Sequence, residues 1–337
     1  MIVWLASYPR SGNTFFRVIL NNVFDIKTYS IYDDRGDIGA DEQTSEVVGH
    51  EFLPQDFDLQ KAREEKKVYY IKTHELLDNR VHEDDKVIYL IRDGREATLS
   101  FTKHQNTFSK QNKKIIDTIY GNTRFFSWGK HVESWNPKNR ENTLLVKFEE
   151  LIEEPSKYIK VLSAFLNVNP IGNKIPSFEE LKKINPKFFR SGKTNSWEKE
   201  YLEDEHLSFW LKNVKIMDQY GYIYKKPEIF NKLSQTDLLI CESIKQNNYL
   251  IDLAIEKKQI IEQKNRELQS KEQIIEQKNR ELEKEKNVLL HITKKEEKLE
   301  KSIEYLCQSS TIINPFKKIN AYKKMLETYH NIKEGNI

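Results

Sequence analysis

Four short apolar runs, three of them ending in a basic cluster, constrain this chain more than any other feature. Residues 2–6 (Ile-Val-Trp-Leu-Ala) lead into Ser7-Tyr8-Pro9-Arg10-Ser11-Gly12-Asn13, and residues 68–71 into Lys72-Thr73-His74. Residues 87–91 lead into Arg92-Asp93-Gly94-Arg95, and residues 143–148 into Glu149-Glu150-Leu151. Short apolar runs of this length have the pattern of buried strands. Helical spacing follows: Phe15, Val18, Ile19 and Val23 after the first run, a helix from about Glu96, and one after Leu151 through about Leu166. Strands alternating with helices predict an α/β fold, a P-loop-like parallel sheet flanked by helices. Ligands bind such sheets beyond the carboxyl ends of the strands, where these polar clusters fall.

Residues 28–67 are poorly periodic and read either as an insertion that shapes a pocket or as a partly ordered connection. From Ile251 the character changes. The string Ile-Ile-Glu-Gln-Lys-Asn-Arg-Glu-Leu occurs at 260–268 and again at 274–282, and Ile261, Leu268, Ile275, Leu282 and Leu289 recur at every seventh position. With these at d, the a positions Ile251, Lys258, Asn265, Glu272, Asn279 and Lys286 are largely polar. This is a coiled-coil pattern, and asparagine at a points to a small homo-oligomer, first a dimer. The bland alternative is a lone solvated helix. Residues 311–337 carry Lys317-Lys318 and Lys323-Lys324 among apolar positions, the pattern of a basic amphipathic helix. Such a helix touches a membrane surface or a partner, or packs back on its own chain.

Composition follows the same division. All five Trp precede residue 211, whereas residues 256–286 are charged at 17 of 31 positions, which accounts for a mean hydropathy of −0.73 alongside 11% aromatic residues. The expected organisation is a front domain over 1–225, a helical connector over 226–250, a coiled coil over 251–308 and a basic tail over 309–337. A net charge of +3 does not suggest a nucleic-acid binder. Cys241 and Cys307 offer neither a disulfide framework nor a metal motif. The opening apolar run lacks the basic flank and length of a signal peptide. A cytoplasmic protein without a metal is expected.

The first cluster carries the chemistry. Backbone N–H groups at a helix N-terminus form an anion nest, Gly12 lets a ligand approach, Arg10 adds a permanent cation, and Ser11, Asn13 and Thr14 add donors. The Walker pattern is absent, since Arg10 precedes the single glycine. Lys72 and His74 supply a cation and a titratable base at another strand end. Arg92 follows the third run with Ser100 two helical turns on, and Arg190-Ser191-Gly192-Lys193 form a further anion-binding cluster. Three basic clusters around one nest suit a ligand with two separated anionic groups.

These segments resemble the sulfotransferases, cytosolic and bacterial, that use 3′-phosphoadenosine 5′-phosphosulfate (PAPS). That family's loop Tyr-Pro-Lys-Ser-Gly-Thr-Thr-Trp is similar to Tyr8-Pro9-Arg10-Ser11-Gly12-Asn13-Thr14-Phe15, and its Lys-Thr-His segment matches Lys72-Thr73-His74. Its strand-then-Arg with Ser eight residues later matches Arg92 and Ser100. Its Phe-Tyr-Glu-Asp resembles Lys147-Phe148-Glu149-Glu150, and its late Arg-Lys-Gly segment resembles Arg190-Ser191-Gly192 through Trp197. The likeness covers about residues 1–225.

The resemblance implies an enzyme that moves a sulfuryl group from PAPS to an acceptor hydroxyl, a carbohydrate being favoured, with no metal. It implies His74 as general base, and Lys72 and Arg10 as neutralising charge at the reacting centre. Ser11, Gly12, Asn13 and Thr14 would hold the 5′-phosphosulfate. Arg92, Ser100, Arg190, Ser191 and Gly192 would hold the 3′-phosphate, and Phe15 and Phe148 would contact adenine. The departures change chemistry: Arg10 for Lys turns a point charge into a planar fork, Ser191 for Lys removes a cation, and Phe148 for Tyr drops a hydroxyl. Two other readings are a nucleotide-dependent kinase using the same loop, and a coiled-coil scaffold with an inactive front domain.

Overall fold

The computed structural model describes residues 1–35, 38–108, 112–186, 188–189, 195–308 and 315–333. The chain divides into two compact units, Met1–Leu250 and Ile251–Ile337. The first begins with β1 (Ile2–Ser7), α1 (Asn13–Phe24), β2 (Tyr29–Ser30), α2 (Glu42–Val48) and α3 (Leu59–Glu64). It continues through β3 (Tyr69–Thr73), β4 (Lys86–Ile91), α4 (Gly94–Phe108), α5 (Ile115–Tyr120) and α6 (Trp128–Trp135). Then come β5 (Thr143–Lys147), α7 (Phe148–Glu153), α8 (Pro155–Leu166), α9 (Phe178–Ile184) and α10 (Glu203–Tyr220). Two long helices follow, α11 (Gln235–Gln308) and α12 (Pro315–Lys333).

The sheet has the order β2-β3-β1-β4-β5 and every pair is parallel. Side chains alternate between its faces, as a period of two requires. Ile2, Trp4 and Ala6 join a core with Ile71, Tyr89 and residues of α4, α6 and α10; Val3 and Leu5 join another with Ile88, Val146 and residues of α1 and α8. Both faces are therefore covered, and the four apolar runs are strands, as expected. Ala6 pairs with Thr73, Ser7 with Leu90, and Ile91 with Lys147. The four main strands thus end at one edge, which carries His74, Arg92 and the loop 8–12.

The structure corrects two details. The predicted helix running to Leu166 is two helices, because Glu154 leaves helical geometry and Pro155, with no N–H to donate, starts α8. The aperiodic stretch 28–67 contains an edge strand and two short helices, α2 and α3 capped by the side chains of Asp41 and Asp58.

The first turns of α11 pack on the first unit, with Tyr249 stacked on Tyr120 at 4.7 Å and its hydroxyl donating to Asp117. In the second unit the repeating Ile261, Leu268, Ile275, Leu282 and Leu289 are all exposed, which is consistent with a coiled-coil strand. Among the described residues no helix is long and apolar enough to cross a membrane.

Candidate active site

A cavity of about 540 Å³ opens at the carboxyl edge of the sheet. Arg10, Gly12, Asn13, Thr14, Phe15, Lys72, His74, Arg92, Ser100 and Phe148 all line it. Ser11 does not: it is buried, and its Oγ has no hydrogen-bond partner among the described residues. Arg190, Ser191 and Gly192 lie outside the described residues.

The loop between β1 and α1 turns through two left-handed residues, Arg10 (φ 66°) and Gly12 (φ 93°). Gly12 is the N-cap of α1 and has no side chain to occupy the first-turn N–H groups. A glycine is needed there twice over, since a Cβ would also fall 2.2 Å from Phe148 Cδ2. The Asn13 side chain braces the loop, its Nδ2 donating to Leu5 O at 3.0 Å and Ser7 Oγ at 3.2 Å. Its amide is therefore engaged within the protein, while the residue still lines the cavity.

His74 is held on three sides. Its Nδ1 lies 2.7 Å from Ser7 O, and a carbonyl only accepts, so Nδ1 carries the proton and the lone pair of the neutral ring belongs to Nε2. Its backbone N–H donates to the Tyr32 hydroxyl at 2.6 Å, and its carbonyl accepts from His131 Nε2 at 3.1 Å. The Tyr89 hydroxyl donates to His131 Nδ1 at 2.8 Å and fixes that tautomer in turn. Burial first, and the neighbouring Lys72 charge second, push the His74 pKa well below its ordinary value, so the ring is a neutral base at pH 7.

Lys72 Nζ lies 3.3 Å from Asp34 Oδ2, both side chains being buried. Arg10 Nε donates to Ser100 Oγ at 3.4 Å, and Arg92 donates to the Arg10 carbonyl at 2.9 Å. The Arg92 guanidinium lies 4.5 Å from the Phe148 ring centroid and 3.6 Å from Glu96. Phe15 stacks on Phe178 at 4.5 Å. Glu96 also accepts from Ser196 Oγ and, at 3.2 Å, from Trp197 N, which ties the chain beyond residue 194 to α4. Trp197 itself is packing, buried against Arg95 at 3.9 Å. Glu149 lies in the first turn of α7, accepting from Asp93 N and the Tyr222 hydroxyl.

Sequence reasoning missed Tyr32, Asp34, Phe125 and His131. The first three line the cavity, and the insertion 28–67 therefore shapes the pocket. No local signal marks Asp34 in its polar run. His131 sits within a helix, α6, where no strand end singles it out. Among the described residues no group of three or more His, Cys, Asp or Glu side chains is placed to hold a metal ion.

The family pattern described as Sulfotransferase domain matches residues 2–215, and the chain belongs to the sulfotransferase family. It is 28% identical over 198 residues to Sulfotransferase 1B1 of Mus musculus, covering 52% of this chain and 64% of that protein. It is 24% identical over 181 residues to Sulfotransferase 4A1 of Homo sapiens, covering 50% and 60%. The matches to these two relatives thus span less than two thirds of their length. In fold it is similar to the crystal structure of mouse sulfotransferase SULT7A1 complexed with PAP, at a TM-score of 0.50 and 20% identity, over 64% of this chain and 84% of that one.

Proposed function

We propose that this chain transfers a sulfuryl group from PAPS to an acceptor hydroxyl, a carbohydrate being favoured, with His74 as general base. One observation carries the reading: a neutral histidine with its lone pair on Nε2, two cations and an uncapped helix N-terminus meet in one cavity. Displacement at sulfur is catalysed by positioning and by stabilising charge on the departing oxygen. Lys72 and Arg10 supply that charge, and His74 Nε2 accepts the acceptor's proton. Gly12 and Thr14 face the 5′ end from the loop, and the orphaned, buried Ser11 Oγ gives the loop a further group suited to an oxyanion. Arg92 and Ser100, with Arg190, Ser191 and Gly192, hold the 3′-phosphate, while Phe15 and Phe148 offer rings for adenine. The PAP in the mouse structure supports this donor, and the carbohydrate acceptor rests on analogy with enzymes of surface-glycan assembly.

The organisation proposed is a catalytic domain over 1–225, a connector over 226–250, a coiled coil over 251–308 that joins copies of the chain, and a basic tail over 309–337. A cytoplasmic location belongs to the same proposal.

The test is calorimetric titration with adenosine 3′,5′-bisphosphate against AMP, in EDTA. Binding that requires the 3′-phosphate and weakens roughly ten- to hundredfold in Arg92→Ala supports the donor site, as expected for losing a charge-assisted hydrogen bond. Equal binding of AMP, or none, overturns it.

A further inference from the structure

We infer that the helix beyond Ile251 pairs with a second copy of this chain in parallel and in register. Ile261, Leu268, Ile275, Leu282 and Leu289 are each between 56% and 65% exposed on α11. A seven-residue apolar stripe winds with a partner helix, and the charges beside it choose the partner and its direction. With the stripe at d, the g positions are Lys257, Lys264, Lys271 and Lys278, and the e positions five residues later are Glu262, Gln269, Glu276 and Glu283.

In a parallel pair, each g residue meets the partner's e residue of the next heptad. That makes Lys257–Glu262, Lys271–Glu276 and Lys278–Glu283 opposite-charge pairs, and Lys264–Gln269 a hydrogen-bonding one. An antiparallel pair sets g against g and e against e, lysine facing lysine and glutamate facing glutamate. Five residues along one helix turn through about 140°, so the spacing does nothing for a lone helix. Within α11, Glu276 meets Arg280 at 2.6 Å and Glu283 meets Lys286 at 3.9 Å. These are exposed pairs, weak enough for their carboxylates to be shared with a partner.

The a positions set the register. In register, Asn265 and Asn279 each face their own copy, where one amide donates and the other accepts; a slip of one heptad sets them against Glu272, Lys258 or Lys286. Glu272 sits next to the g residue Lys271, whose copy on the partner flanks it. Lys258 and Lys286 face their own copies and make the association modest and concentration-dependent. Both copies of residues 1–250 then enter the coil from the same end.

The inference rests on the assembly proposed above and is independent of the donor chemistry. The experiment uses the full chain carrying Cys241→Ser and Cys307→Ser, with either Asn265→Cys or Asn279→Cys, oxidised with glutathione disulfide, which is itself reduced to two thiols. Light scattering is expected to give twice the 40.2 kDa chain mass, with disulfide-linked dimers at both positions. A monomeric mass at about 100 μM, well above the micromolar range of weak specific association, overturns assembly and orientation together. A dimer cross-linking at only one position, as an antiparallel pair would near its centre, or at neither, overturns the orientation alone. A trimeric or larger mass overturns the two-chain coil.

Discussion

Gly12 and Phe148 touch across the candidate site: a Cβ on Gly12 would fall 2.2 Å from Phe148 Cδ2. The ring lies directly on the anion loop, with the Arg92 guanidinium over it at 4.5 Å. Gly12→Ala therefore meets two penalties, a left-handed φ worth about 1 kcal/mol and a clash that must displace the ring. We expect affinity for adenosine 3′,5′-bisphosphate to fall roughly tenfold or more. In a Phe148→Ala background, which lacks both the clash and a ring offered to adenine, Gly12→Ala should cost less affinity than it does in the unaltered chain. Titration of the two single variants and the double one checks this, and unaltered binding by Gly12→Ala would remove the loop from the donor site.

Lys72 and Asp34 form a buried pair. Removing one partner of such a pair leaves the other charge without its counter-ion in a poorly solvating place. Asp34→Asn should destabilise the fold by about 3 kcal/mol, read from denaturant midpoints. Lys72→Met added to Asp34→Asn should return much of it. A double variant no more stable than the single one would show that the pair does not set the cost.

His74→Ala should lower turnover by roughly 10²- to 10⁴-fold, the usual range for losing a general base. The pH profile gives a sharper readout. The pKa is held down by burial and by Lys72, so the acid limb should lie below the ordinary histidine value of about 6.5. Lys72→Met removes the second-largest cause and should move that limb toward neutral pH while slowing the reaction. A limb that stays in place would mean that another group titrates.

Stability should fall on acidification. Burial pushes His131 down to about 3 and His50 down to about 4, the latter helped by the Arg17 charge. Below about pH 6.5 the unfolded chain takes up protons that these folded imidazoles refuse, so the unfolded state gains. The folded state should weaken as pH drops from about 6.5 toward about 4, with fully buried His131 alone contributing a slope near 1.4 kcal/mol per pH unit. Denaturation at stepped pH measures it, and a flat response over that window would contradict the packing of His131 between Tyr89 and the His74 carbonyl.

The four main strands and the loop are legible because each strand is covered on both faces and reads as a short apolar run. Lys72 and His74 are legible because they end such a run. The two-residue strand Tyr29–Ser30 is not, being too short for any periodic signal. Asp34 is not, because burial of a lone carboxylate is decided by which strand end lies opposite it. Asn13 reads as a site residue, and it lines the cavity. Its amide is used inside the protein, and only tertiary contact with Leu5 and Ser7 shows it. His131 is hidden for a similar reason, since it acts through the carbonyl of another residue.

Ser7 receives Nδ1 of His74 on its carbonyl and Nδ2 of Asn13 on its hydroxyl. His74 and the loop after β1 are thus referenced to one residue at the end of the central strand. Their relative position carries the tolerance of a single residue, whose backbone holds one and whose side chain holds the other. A side-chain replacement at Ser7 would release the loop's brace while the carbonyl still holds His74, whereas a shift of the strand end would move both parts at once.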